Sequence, residues 1–165
     1  MTKRLILMRH AKSDWDDPLL SDFERPLNRR GRDNAVRMGG WLKQHGFLPD
    51  AVLCSAAART RETFALLDID ASVTFEQRLY LAPAQVMLRC LKTAEADTIL
   101  MIGHNPGIAE FAHGLLAKAP DHVRFHDFPT CSTLVCDLPI SKWADAVSRS
   151  AQVVDFIVPR DLSDQ

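Results

Sequence analysis

Residues 5–13 read Leu-Ile-Leu-Met-Arg-His-Ala-Lys-Ser, and this stretch decides the fold. Four apolar residues, Leu5 to Met8, run straight into Arg9 and His10. A run this short and this apolar reads as a strand, roughly Arg4 to Met8, buried on both faces in a sheet covered by helices on either side. In open α/β sheets, ligands gather just outside the carboxyl ends of the strands. Arg9 and His10 therefore set a fixed cation beside a potential nucleophile at the place where such a fold puts its chemistry. Taken alone, the dipeptide is more often a solvated turn. The rest of the chain has to decide.

The segment from Asp14 to Asn28 is polar and broken by Pro18 and Pro26, a loop long enough for a role beyond connection. The spacing of Ala35, Met38, Trp41 and Leu42 predicts a helix from Arg29 to His45, with Asn28 as its N-cap and Gly46 just past its end. Gly39 and Gly40 inside it mark a close packing contact. A second strand spans Asp50 to Cys54 and leads through Ser55 into a helix ending near Leu67. Val73 to Phe75 reads as a short strand, and Pro83 to Leu91 as a helix. Thr98 to Ile102 is another fully apolar strand, followed by Gly103-His104-Asn105-Pro106. Asn105 suits an N-cap and Pro106 a first helical residue; Ile108, Phe111, Ala112, Leu115 and Leu116 then keep core-facing spacing. Ala119 to Pro129 is a loop. Ser132 to Cys136 and Gln152 to Val158 are late strands, with a short helix near Trp143 to Val147, and the end from Arg160 is expected to fray. Strands alternating with helices imply an α/β fold, a three-layer α/β/α sandwich with a mostly parallel central sheet, in one domain over residues 1–165.

Composition removes several classes of function. The 165 residues are 47% hydrophobic and 25% charged, ordinary for a soluble globular protein long enough to bury a core. A formal net charge of −1 gives no global attraction to nucleic acid or an anionic membrane, so any anion binding must be local. Neither a signal peptide nor a membrane span is expected, since Lys3-Arg4 precede only four apolar residues. Cys54, Cys90, Cys131 and Cys136 sit among apolar residues without a CxxC pair. They read as reduced core thiols of a cytoplasmic protein, a Cys131–Cys136 disulfide being the alternative.

Three strand ends carry polar residues of one kind: Arg9-His10, the run Ser55 to Thr63, and Gly103-His104-Asn105. Side by side, they would bring two imidazoles and at least two guanidiniums into one pocket at helix N-termini, which supply free N–H groups and partial positive charge. Guanidinium matches phosphate oxygens in a bidentate way, so such a pocket suits a dianionic phosphoryl group. Each signal has a bland counterpart. Arg59 and Arg61 alone suit a solvated helix paired with Glu62, and His104 a satisfied core histidine. His122 and His126 have metal-ligand spacing but no supporting Cys or carboxylate cluster, so no metal site is expected.

These residues resemble the histidine phosphatase superfamily, and within it the small SixA-type phosphohistidine phosphatases. The superfamily's opening Arg-His-Gly appears as Arg9-His10-Ala11. Ser-x-x-x-Arg-x-x-x-Thr appears as Ser55, Arg59 and Thr63, Gly-His as Gly103-His104, and Arg-Pro-Leu as Arg25-Pro26-Leu27. The resemblance covers about the first two thirds of the chain; beyond it only the element pattern matches. It implies that His10 takes the phosphoryl group and that Arg9, Arg59 and a protonated His104 hold its oxygens. Arg25 and Asn105 are the substrate-binding candidates. Arg25 is balanced against a plain salt bridge to Asp22 or Glu24.

A neutral imidazole is nucleophilic near pH 7, and phosphoryl transfer needs mostly positioning and charge stabilisation. No cofactor or metal is required, because arginines supply the positive charge. Ala11 replaces the motif glycine, which is tolerated unless the backbone needs a positive φ there. The segment between Leu67 and Thr98 is too short for the acid-bearing insertion of longer relatives; Glu76, Asp14 and Glu24 are acid candidates by position only. An alkoxide leaves poorly without a proton donor, whereas the imidazole of phosphohistidine leaves readily. The expected substrate is therefore phosphohistidine on a partner protein. A small phosphorylated molecule hydrolysed by a broad phosphomonoesterase, or a non-catalytic phosphate-binding module, are the rival readings.

Overall fold

The computed structural model describes residues 1–162. Its elements are β1 (Lys3–Arg9), α1 (Arg29–Gln44), β2 (Ala51–Ser55), α2 (Ala58–Leu67), β3 (Ser72–Glu76), α3 (Ala84–Leu91), β4 (Thr98–Gly103), α4 (Gly107–Leu115), β5 (Thr133–Leu138), β6 (Gln152–Ile157) and α5 (Pro159–Leu162). Short 3-10 turns lie at Asp22–Glu24, Gln77–Leu79 and Trp143–Asp145.

The strands form one sheet in the order β3-β2-β4-β1-β5-β6. β1, β4, β2 and β3 run parallel, with Ile6 opposite Leu100 and Leu53 opposite Met101. β5 is antiparallel to both β1 and β6, so the sheet is mixed but mostly parallel. β1 and β4 lie in the middle and are buried on both faces, as their unbroken apolar runs require. Leu5, Leu7, Ile99 and Met101 point into one core with α3 and α4. Ile6, Met8, Leu100 and Ile102 point into the other with α1 and α2. Each of these side chains is wholly or almost wholly buried, contributing about 1.5–3 kcal/mol by the transfer scale.

The helix boundaries follow local chemistry. Asn28 caps α1 by accepting from the Gly31 amide at 2.8 Å, and Gly46 takes the left-handed conformation past its end (φ 71°). Gly39 makes the expected close contact: a Cβ there would lie 2.2 Å from the Leu67 carbonyl oxygen of α2. Gly40 faces open space, so one glycine of the pair carries the packing. All four cysteines are buried and free. Among the described residues, no helix is long and apolar enough to cross a membrane.

Two local expectations are corrected. Asn105 does not cap α4: its side chain turns away to the carbonyls of Asp127 and Phe128, and the helix starts at Gly107 after Pro106. The chain does not fray at Arg160, because Pro159–Leu162 form α5, with Leu162 buried in the core beneath α1; residues 163–165 lie outside the described residues.

Candidate active site

β1, β2 and β4 end side by side, and the polar residues after them meet there. The His10 amide donates to the Gly103 carbonyl at 3.1 Å, tying the two central strand ends together. The Ala11 amide donates to Thr63 Oγ1 at 3.0 Å, and Thr63 Oγ1 donates to the Arg59 carbonyl at 2.7 Å. The loop that carries His10 is thereby anchored one helical turn beyond Arg59. Ala11 does not adopt a positive φ, so replacement of a glycine is sterically free there.

Arg9, His10, Arg25, Arg59, His104 and Asn105, all six residues singled out from the sequence, line one cavity of about 230 Å³. It is not the largest hollow: another of about 470 Å³ lies beside His113 and His126. Charge and unpaired polar atoms single out the smaller one. Among the described residues, the buried side-chain nitrogens and oxygens without a hydrogen-bond partner are Nε of Arg9, Arg25 and Arg59, Nδ1 of His104 and Oδ1 of Asn105. Every one belongs to a residue that lines this cavity. Leaving a buried polar atom unpaired costs about 1–3 kcal/mol, so five in one place mark a site built for a polar ligand.

The two imidazoles face each other with ring centroids 5.2 Å apart. His10 Nδ1 lies 2.7 Å from the Ala11 carbonyl oxygen. A carbonyl only accepts, so Nδ1 carries the hydrogen and the Nε2 lone pair is free. Burial, reinforced by His104 and Arg9, pushes the His10 pKa well below 6.5. His104 Nε2 lies 2.8 Å from Ser55 Oγ. Burial and the Arg59 charge push the His104 pKa down to about 3. Without an anion beside it, burial thus favours the neutral His104 imidazole, whereas the sequence-based expectation of a protonated His104 concerns a bound phosphoryl group.

Each guanidinium is held in place by neighbouring groups. Arg9 Nη1 donates to the Phe128 carbonyl at 3.2 Å. Arg59 donates from Nη1 to the Asp22 carbonyl at 2.7 Å and from Nη2 to its carboxylate at 3.0 Å. Arg25 donates from Nη2 to the same carboxylate at 2.9 Å and from Nη1 to Ser13 Oγ, and it stacks on Trp15 at 3.5 Å. Arg25 therefore makes the salt bridge to Asp22 and also lines the cavity. Tyr80 Oη completes the cluster by donating to Asp22. Asp22, Ser13 and Tyr80 carry no motif and are not recognisable in the linear chain.

None of the three acid candidates lines the cavity. Glu76 accepts from Arg78, and Asp14 accepts from the Asp16 amide. Glu24 is exposed on its 3-10 turn. Asp22 is the nearest carboxylate. Burial opposes its charge, but the bonds from Tyr80, Arg25 and Arg59 outweigh that and hold its pKa well below the usual carboxylate range. Asp22 stays ionised and cannot donate a proton near neutral pH.

The sequence pattern of the histidine phosphatase superfamily (branch 1) matches residues 5–80, the stretch holding Arg9, His10, Arg25 and Arg59. A protein from Mycobacterium tuberculosis with no assigned function is 37% identical over 161 residues, covering 93% of this chain and all of that one. The chain belongs to the histidine phosphatase superfamily. Among solved structures, one from Nakamurella multipartitia, described as a proposed phosphohistidine phosphatase SixA, shares 29% identity with a TM-score of 0.85. The alignment covers 96% of this chain and 97% of that one. The protein histidine phosphatase SixA complexed with tungstate has the same fold, with a TM-score of 0.76, 21% identity and coverage of 96% and 99%. Membership and fold together support a phosphatase activity.

Proposed function

We propose that this histidine phosphatase transfers a phosphoryl group from phosphohistidine on a protein to His10 Nε2 and then to water. The observation that carries the reading is the convergence of unpaired polar atoms around His10. A dianion entering the cavity meets Nε of three arginines and Nδ1 of His104, the atoms that lack partners. With the Ser55 hydroxyl donating to Nε2, His104 carries its hydrogen on Nδ1 and offers it to a phosphoryl oxygen.

In the first step the Nε2 lone pair of His10 attacks phosphorus. A P–N bond forms at His10, and the P–N bond to the substrate imidazole breaks. The leaving imidazole takes its proton from solvent. In the second step water attacks the phospho-His10 phosphorus: a P–O bond forms, the P–N bond to His10 Nε2 breaks, the water's proton passes to solvent and orthophosphate leaves. Arg9, Arg25 and Arg59 stabilise the equatorial oxygens in both transition states, so neither step calls on a metal. Asn105 holds the 127–128 backbone, and its free Oδ1 accepts a hydrogen bond from the substrate.

Among the described residues no carboxylic acid lines the cavity, which favours a leaving group that needs no fixed proton donor. An alkoxide needs one, whereas the phosphohistidine ring can take its proton from solvent near neutral pH. The test is the ratio of kcat/KM on a phosphohistidine peptide to that on a sugar phosphate. A ratio well above one is expected; a sugar phosphate preferred by orders of magnitude would replace the substrate assignment with the small-molecule phosphomonoesterase.

A further inference from the structure

Beside the phosphoryl cavity lies a second hollow of about 260 Å³. The two share Lys12 and Thr130 in their walls, so they adjoin. Four cationic side chains line the second hollow, Lys12, Arg30, Arg124 and Arg160, and among the described residues no carboxylate does. They come from four separate places: the turn after β1, the start of α1, the 119–131 loop and α5. Arg124 is paired with Asp127 at 2.9 Å; among the described residues no ion pair holds Lys12, Arg30 or Arg160.

Among the described residues no ion pair compensates the charges of Lys12, Arg30 and Arg160. Arg30 sits in the first turn of α1, which has no acidic residue. A helix N-terminus already carries partial positive charge and favours anions as neighbours. Like charges gathered on one concave wall also repel. A local rule broken without internal compensation points to a functional surface. The rim supplies a second hint. Trp15 lines the phosphoryl cavity yet is 73% exposed, and exposed aromatics beside a charged patch are characteristic of protein-binding surfaces.

We propose that the basic hollow docks an acidic segment of the protein that carries the phosphorylated side chain. Its carboxylates meet Lys12, Arg30, Arg124 and Arg160 while the phosphoryl group enters the adjoining cavity. The proposal rests on the protein-substrate reading above. Such contacts select the partner and speed its arrival, and salt weakens them.

The test uses the double variant Arg30→Glu, Arg160→Glu; both residues lie outside the phosphoryl cavity. Glutamate at position 30 agrees with the helix dipole, so an unchanged thermal midpoint is expected and checked first. One measurement is fluorescence anisotropy of an unphosphorylated Asp/Glu-rich peptide. The wild type should bind it in a salt-sensitive way, and the variant about tenfold or more weaker. The other compares kcat/KM on a phosphohistidine peptide flanked by acidic residues with that on phosphoramidate, which carries no such segment. The variant should lose about tenfold on the peptide and stay within about twofold on phosphoramidate.

Equal binding of the acidic peptide by both proteins overturns the proposal. So does an equal loss on both substrates, which would assign the hollow to the phosphoryl group itself. A loss confined to a small bisphosphorylated compound, with peptide binding unchanged, overturns it in favour of a second phosphate subsite. If the wild type turns over neither substrate, the catalytic reading fails, and the anisotropy result still decides the fate of the hollow.

Discussion

The Asp22 carboxylate accepts from Arg59 Nη2 at 3.0 Å while the Asp22 backbone carbonyl accepts from Nη1 at 2.7 Å. One residue on a 3-10 turn thus holds both terminal nitrogens of a guanidinium carried by the second residue of α2, leaving its buried Nε unpaired. The same carboxylate binds Arg25 and Tyr80. Asp22→Asn keeps the shape and removes the charge. We expect kcat/KM to fall about tenfold and inorganic phosphate to inhibit less strongly, because two guanidiniums lose their anchor. Steady-state kinetics with phosphate as inhibitor checks both.

Arg59 itself should matter more. A guanidinium about 4 Å from a unit negative charge is worth on the order of 4 kcal/mol at an effective dielectric near 20, before desolvation. Arg59→Ala should cost about 10²–10³-fold in kcat. Arg59→Lys restores charge but not the two-pronged hold on Asp22, so it should recover about tenfold at most. Parallel kinetics on the two variants separates charge from geometry.

Acid should act on stability before it acts on the nucleophile. Burial lowers the His10 pKa well below 6.5 and the His104 pKa to about 3. Between pH 6.5 and those values the unfolded chain binds protons that the folded chain does not, so stability rises with pH across the window and falls on acidification. Thermal midpoints should drop steadily as pH falls from 6.5 toward 3, and His104→Gln should flatten the slope. In the same range the kcat/KM profile of the free enzyme should keep its acidic limb below pH 6.5, since His10 stays neutral there.

Helix packing offers a test independent of catalysis. A Cβ at Gly39 would sit 2.2 Å from the Leu67 carbonyl oxygen, and backbone cannot rotate away. Gly39→Ala should destabilise by about 1–3 kcal/mol despite alanine's better helix propensity, whereas Gly40→Ala, facing open space, should stabilise by a few tenths to about 1 kcal/mol. Chemical denaturation of the pair reads the difference in sign.

The legible parts of this molecule are those where local chemistry leaves no alternative. Leu5–Met8 and Thr98–Ile102 are too apolar and too short to be anything but strands covered on both faces, and their ends locate Arg9, His10 and His104. Asn28 and Gly46 bracket α1 by cap chemistry alone. Strand direction is not written in such runs: β5 runs antiparallel between β1 and β6 because the chain returns beside β1, a long-range outcome. Asp22 is silent for the same reason. Its partners Arg59 and Tyr80 lie 37 and 58 positions away, and nothing in an exposed polar loop signals the fold-back. Asn105 misleads because its amide finds better partners in the carbonyls of Asp127 and Phe128 than in the helix it precedes.

The central claim is that His10 Nε2 carries the phosphoryl group between substrate and water. The most direct measurement is alkaline quenching of the enzyme during turnover, followed by peptide mass spectrometry under conditions that preserve phosphohistidine. The account predicts an acid-labile phosphate on His10 that is absent from His10→Ala, a variant without turnover. Product formation with no phosphate on His10, or undiminished turnover by His10→Ala, would contradict it.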